Sequence, residues 1–256
     1  MSAEIVNSVL PSIRIRTHTV DEAQHEPGAT KFGGAPDLPH GYPWPEYRGS
    51  PLPFVAQISL TDMLPYDRGH ILPETGRLHF FFDVDAYFET WPRDPATWSV
   101  WCDRSPLSTL QRLAIPETIP KRRRYRSCAV ACSAELTLPD YNQYDATSLE
   151  RLGLSQPLTD EEELAYYAVQ AQLAGRAGAK YHTPIHRLLG HPDDVQWDMH
   201  RDLEGPATDW LLLLQVDSDD APKTDWGDTG RIYYWIRVRD LAVNNFGQTQ
   251  LILQST

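Results

Sequence analysis

The chain has 256 residues, with 23 Lys plus Arg against 35 Asp plus Glu and a formal net charge of −12. Its 41% hydrophobic and 11% aromatic content excludes an intrinsically disordered chain. No apolar run approaches the ~20 residues needed to cross a bilayer, and net acidity opposes binding to nucleic-acid phosphates.

Met1 to Thr17 lacks a basic segment followed by an apolar one, so no signal peptide is expected and the location is expected to be cytoplasmic. Ser12–Thr17 alternates, with Ile13 and Ile15 expected inward and Arg14 and Arg16 outward. Pro27, Pro36, Pro39, Pro43, Pro45, Pro51 and Pro53 then punctuate a stretch that can hold little regular structure. Further strands are expected at Leu52–Ser59, Arg77–Val84, Arg126–Leu138, Trp210–Asp217, Arg231–Val238 and Thr249–Gln254. Thr159 and Glu162 form a capping box that opens a helix. Leu164, Tyr167, Ala168 and Ala171 supply its apolar stripe, and Gly175 ends it. Pro106–Ala114 and Ala146–Leu152 read as shorter helices. Runs of strands with inserted helices predict an α+β fold with largely antiparallel sheets.

Cys128 and Cys132 fall on one face of a strand about 13 Å apart at ~3.3 Å per residue, too far for a disulfide. With Cys102, they are expected to be free thiols in a reducing compartment.

An internal pattern repeats. Leu52-Pro-Phe-Val-Ala-Gln57-Ile-Ser59, a loop and Gly76-Arg77-Leu-His-Phe-Phe-Phe82 match Trp210-Leu-Leu-Leu-Leu-Gln215-Val-Asp217, a loop and Gly230-Arg231-Ile-Tyr-Tyr-Trp-Ile236. Each unit reads as strand, loop, glycine turn and aromatic strand. Both faces of each aromatic strand are apolar, so both must be covered and the strands are central. The expectation is one domain over 1–256, with duplicated halves at roughly 1–140 and 141–256.

Motif readings favour structure over chemistry. Lys31-Phe-Gly-Gly34 lacks the spacing of a phosphate loop and, with Pro36 and Pro39 after it, reads as a turn. His182, His186 and His191 have metal-ligand character, but Pro184 interrupts the helix that would align the first two, and no metal or cofactor is expected. Asp217, Asp219 and Asp228 superficially follow a calcium loop, but Ala221 and Pro222 stand where a ligand and a glycine are needed. No serine elbow or flanked cysteine marks a nucleophile, so no catalytic residue is assigned. Lys121-Arg-Arg-Arg124 with Arg126 reads as a solvated lead-in able to pair with the chain's own acidic surface.

Several blocks together resemble the YwqG-like family of bacterial proteins. They are Lys31-Phe-Gly-Gly34 with Pro36, Pro39, Gly41, Trp44 and Pro45; Phe54-Val-Ala-Gln57-Ile58; Leu72-Pro-Glu74 with Gly76; His186-Arg-Leu-Leu-Gly190; Gln196 with Asp198-Met199; Leu212-Leu-Leu-Gln215; and Trp226-Gly-Asp228 with Gly230. The resemblance implies an α+β fold with an internal duplication and carries over no catalytic residue. Some family members are linked to toxin immunity, so it also implies a non-enzymatic protein that neutralises a secreted nuclease-type toxin. The corresponding partner is a basic protein, met by Asp217, Asp219, Asp220, Asp225, Trp226 and Asp228. Neither a membrane nor a nucleic acid is expected as partner. The alternative is an enzyme or a small-ligand or cation-binding protein with a cleft between the halves. There Asp217, Asp219, Asp228 and Arg231 would supply charge and Trp226 a stacking wall. Charge is uneven: 104–126 carries net +6 and 193–228 net −9, which suggests a bipolar molecule.

Overall fold

Backbone hydrogen bonding gathers most of the strands into one sheet, seen in a computed structural model that describes residues 3–175 and 183–256. The first elements are α1 (Ala3–Ser8), β1 (Leu10–Thr19), β2 (Lys31–Phe32), β3 (Asp37–Pro39), β4 (Glu46–Tyr47), β5 (Ser50–Pro51) and β6 (Phe54–Ser59). Next come α2 (Leu60–Met63), β7 (Arg77–Phe82), α3 (Val84–Glu89), β8 (Trp98–Asp103), β9 (Leu110–Arg112) and β10 (Cys128–Thr137). The chain continues through α4 (Ala146–Leu152), α5 (Asp160–Leu173), β11 (His186–Leu188), β12 (Trp210–Asp217), β13 (Arg231–Arg237), α6 (Val238–Ala242) and β14 (Gln250–Gln254).

Ten strands lie in the order β14-β13-β12-β11-β1-β10-β2-β6-β7-β8, and every strand pairing among the described residues is antiparallel. The long β1–β10 ladder, from Leu10 opposite Thr137 to Thr19 opposite Cys128, is the middle of this order. Outward from it, β11-β12-β13-β14 on one side corresponds to β2-β6-β7-β8 on the other. Each long central strand pairs with the arm that follows the other one in the chain.

Twist accumulated over ten strands curls the sheet until the two arms meet. The Phe80 and Tyr234 rings stand 5.0 Å apart, the Tyr234 hydroxyl donates to the Phe81 carbonyl at 3.4 Å, and Trp98 Nε1 donates to the Thr249 carbonyl at 2.9 Å. Between the arms lies the main core, with Ile13, Ile15, Ile58, Phe80, Phe82, Leu214, Ile232 and Tyr234 all buried. Each such side chain contributes about 1.5–3 kcal/mol on burial. The outer faces are covered separately. Met199, Leu203, Trp210, Tyr233 and Trp235 pack on one arm, and Leu38, Tyr47, Leu52, Phe54 and Phe81 on the other. The aromatic strands are therefore central and two-sided.

Three expectations need correction. Arg14 does not point to solvent: it is buried, and its guanidinium donates to the Pro184 carbonyl, which leads into β11. The stretch expected as a helix over Pro106–Ala114 is a turn at Leu107–Thr109 followed by β9, because Leu110–Arg112 pairs with β3 and Arg112 Nε binds Asp37 at 2.9 Å. The capping box of α5 is present, but the helix is turned about its axis. Tyr166 is buried, donating to the Pro139 carbonyl at 2.9 Å, while Leu164 stays 71% exposed. The three cysteines are free thiols, and burial pushes Cys128 and Cys132 up to about 11.

Candidate functional site

The loops after β12 and before β13 build a groove of about 900 Å³, with Thr183, Pro184, Asp194 and Val195 on its other wall. Side chains brace this hairpin from within. Thr224 Oγ1 donates to the Asp217 carbonyl and accepts from the Asp219 N–H, both at 3.0 Å, while the Asp219 and Thr224 backbones exchange hydrogen bonds at 3.1 Å. Ser218 Oγ donates to the Gly230 carbonyl at 2.9 Å and accepts from the Trp226 N–H at 3.0 Å. Gly230 is required here, since a Cβ would stand 2.5 Å from the Trp226 carbonyl oxygen.

Two carboxylates form the floor, and both are buried and satisfied. Asp217 pairs with Arg231 at 3.1 Å and accepts from the Ile185 N–H at 2.9 Å. Arg231 also donates to the Asp193 carbonyl at 2.9 Å. Asp219 accepts from the Thr17 hydroxyl, the Ala221 N–H at 3.0 Å and His186 Nε2 at 3.1 Å. Burial works to raise Asp219, but these bonds outweigh it and hold the carboxyl below the usual range. His186 Nδ1 accepts from the Asp217 N–H at 3.1 Å, which assigns the ring proton to Nε2.

The rim is different. Asp220, Asp225 and Asp228 are exposed. Asp220 pairs with exposed Lys223 at 3.0 Å, a contact worth little in water. Asp225 caps its own turn through the Gly227 N–H at 3.1 Å, and no ion pair involves Asp225 or Asp228 among the described residues. On the far wall Asp194 is pushed up to about 7, first by burial and then by Asp140, Asp198 and Asp193, although Gln143 donates to it at 2.9 Å.

The structure brings the five aspartates together but removes Trp226 from the group. That side chain is 1% exposed, with its ring 5.5 Å from Tyr125 and 5.7 Å from Phe82. It anchors the hairpin to the core and offers no face to a partner or a stacked ligand. Phe80, Phe82, Ile232 and Tyr234 pack together where the two arms meet, and the acidic concavity is lined by other residues. The charged segments do not stand apart. The Arg126 N–H donates to the Pro222 carbonyl at 2.7 Å, and Arg123 reaches the Asp225 carbonyl at 3.4 Å. Arg122 and Arg123 both hold Asp85 at 2.7 Å. The basic run therefore borders the acidic groove.

Of the three histidines, His182 lies outside the described residues. His186 is committed to Asp217 and Asp219, and His191 Nε2 to the Ser8 carbonyl at 2.8 Å. Burial lowers His191 to about 4.

A buried polar element escaped the sequence reading and occurs twice. Gln57 Nε2 donates to the Ala29 carbonyl at 2.8 Å and to Asp37 at 3.2 Å, while its Oε1 accepts from the Asp37 N–H at 2.8 Å. Gln215 Nε2 donates to the Ile185 carbonyl at 2.8 Å and to Asp193 at 3.2 Å, while its Oε1 accepts from the Asp193 N–H at 3.0 Å. A buried cation completes each: Lys31 lies 3.4 Å from Asp37, and Arg187 lies 2.7 Å from Asp193. Gly33 and Gly34, at φ 59° and 67°, turn the first chain toward its aspartate; Leu189 and Gly190, at 61° and 75°, turn the second. The glycines after Lys31 thus serve a turn whose lysine is fully buried. The available signal was the spacing of cation, proline and aspartate, Lys31-x4-Pro36-Asp37 against Arg187-x4-Pro192-Asp193.

A domain family of unknown function, DUF1963, matches residues 30–255, a span that holds both polar elements and the acidic groove. The chain belongs to the DUF1963 family. No curated protein matches it. Within this DUF1963 chain no helix of the described residues is long and apolar enough to cross a membrane.

Proposed function

We propose that this DUF1963 protein is a non-enzymatic binder of a basic protein, contacted through Asp220, Asp225 and Asp228 on the rim of the groove. The observation that carries the reading is the contrast between floor and rim. The floor carboxylates are buried and satisfied internally, Asp217 by the Arg231 guanidinium and Asp219 by three hydrogen bonds, whereas Asp225 and Asp228 stand exposed with no cation partner among the described residues. Such charge steers association and matches a cationic surface. The resemblance to YwqG-like proteins narrows the partner to a secreted nuclease-type toxin that this protein neutralises in the cytoplasm. Co-expression with the product of the neighbouring open reading frame tests this. Growth should be rescued, and replacing the three rim aspartates by asparagine should abolish rescue while leaving the melting temperature unchanged; rescue by the triple variant removes the groove from the account.

The same reading includes an internal duplication. The matching Gln–Asp–cation elements and the matching arms of the sheet support it. With β10 as the counterpart of β1, the second unit begins before Cys128, and the units exchange their first strands. A second functional reading, a small cationic ligand seated over Asp217, rests on the groove's volume of about 900 Å³. It predicts that a small polyamine competes with the protein partner.

A further inference from the structure

Next to the acidic groove is a second concavity of about 430 Å³, walled by Tyr167 and Trp197 and lined by Asp140, Asp194 and Asp198. Asp194 and Val195 border both. Its aromatic walls are exposed yet held in place. Trp197 is 44% exposed, with Nε1 donating to Asp202 at 2.8 Å. Tyr167 is 37% exposed, with its hydroxyl donating to Asp140 at 3.3 Å and its ring 5.8 Å from Tyr141. Tyr167 also belongs to the outward stripe of α5, where Leu164 is 71% exposed one turn before it. Because Tyr166 anchors the inner face of α5, Leu164 and Tyr167 are left on its outward side.

We propose that the Leu164–Tyr167 stripe and the Tyr167–Trp197 cleft dock a basic amphipathic segment of a protein partner, whose apolar side packs on α5 and whose arginine or lysine enters the cleft. This deepens, and rests on, the reading of the acidic groove as a protein-binding surface. Charge selects the occupant: Asp140 and Asp198 face the cavity against one guanidinium, Arg201, and Asp194 adds a third carboxyl there. Two aromatic walls favour a cation whose stem is apolar, and guanidinium stacks on such rings. Asp194 is raised by burial and by Asp140, Asp198 and Asp193, a crowding of carboxyls that an arriving cation relieves. Continuity through Asp194 and Val195 lets one bound segment span both concavities.

The test uses the full chain and three labelled synthetic helices of equal length: an Arg/Leu amphipathic one, its Glu/Leu counterpart and an Arg/Ser one lacking the apolar side. Fluorescence anisotropy should rank Arg/Leu tightest, Arg/Ser weaker and Glu/Leu without measurable binding. Tyr167→Ala with Trp197→Ala should weaken Arg/Leu binding by about tenfold or more. Leu164→Ser, at a position 71% exposed where the change costs α5 only a little helix propensity, should weaken Arg/Leu but leave Arg/Ser unchanged. Equal binding of Arg/Leu by wild type and both variants, or tight Glu/Leu binding, overturns the proposal. The rim triple variant separates the two readings. If it alone abolishes capture of the neighbouring-frame product while the cleft variants bind normally, the groove reading stands and the cleft falls. If only the cleft variants lose capture, the groove reading fails.

Discussion

Replacing Gln215 by Leu removes one polar side chain while keeping its approximate volume, and the paired element sets the cost. The substitution strips the Ile185 carbonyl and the Asp193 N–H of their partner and takes a donor from the Asp193 carboxylate. Gln215 is fully buried, so water cannot enter without displacing packing. Orphaning a buried backbone group costs about 1–3 kcal/mol, and two such groups place the loss near 3–5 kcal/mol. At about 2–4 °C per kcal/mol for a chain of this size, the melting temperature should fall by about 6–20 °C. Gln57→Leu orphans the Ala29 carbonyl and the Asp37 N–H in the same arrangement, so its loss should agree with that of Gln215→Leu within about 1 kcal/mol. Urea titration followed by tryptophan fluorescence gives both values, with exposed Gln111→Leu as the control expected near zero. A loss below about 1 kcal/mol for either buried glutamine, or a large loss for only one, refutes the equivalence of the two elements.

Lys31→Met leaves Glu22 and Asp37 without their buried ammonium and should cost about 3–5 kcal/mol by the same titration, although Arg112 still pairs with Asp37 at 2.9 Å. Asp194, at about 7 when folded and near 3.8 otherwise, holds a proton that the unfolded chain releases across that window. Its contribution therefore favours folding at low pH and is lost as pH rises through about 7. Asp194→Asn should show little difference in melting temperature near pH 4 and a gain of about 1–2 kcal/mol near pH 8, after allowance for partial solvent screening. An unchanged difference across that range contradicts the assignment. Trp226→Ala should cost about 3–5 kcal/mol, whereas Asp225→Asn and Asp228→Asn should leave stability within about 0.5 kcal/mol; thermal melts separate core from rim.

Periodicity identified the long strands because their alternation is dictated by burial. The alternation over Trp210–Asp217 coincides with β12 to the residue, and that over Arg231–Val238 runs one residue past β13. Short pieces were invisible. The strands β2 and β11 contribute two and three residues, and β8 carries Trp98, Trp101 and Cys102 in no clear alternation. On α5 the apolar count favoured the Leu164 stripe, but two polar hooks decided the orientation. Tyr166 binds the Pro139 carbonyl and Gln170 binds the Leu138 carbonyl at 3.0 Å, and a hydrophobic pattern cannot register either contact. Likewise the aspartates of 193–228 were legible as charge, but not as floor and rim. That distinction depends on Arg231 and His186, which arrive from β13 and β11. Trp226 misled for a related reason: flanked by Asp225 and Gly227, it reads as a surface loop residue, yet its ring turns inward to Phe82.

The central claim is that exposed rim carboxylates bind a basic protein. Isothermal titration of the purified neighbouring-frame product into this protein, and into the Asp220→Asn, Asp225→Asn, Asp228→Asn triple variant, tests it directly. The account predicts a one-to-one complex weakened by about tenfold or more in the variant, with the wild-type affinity falling as salt rises. No binding, or equal affinity for both forms, contradicts it.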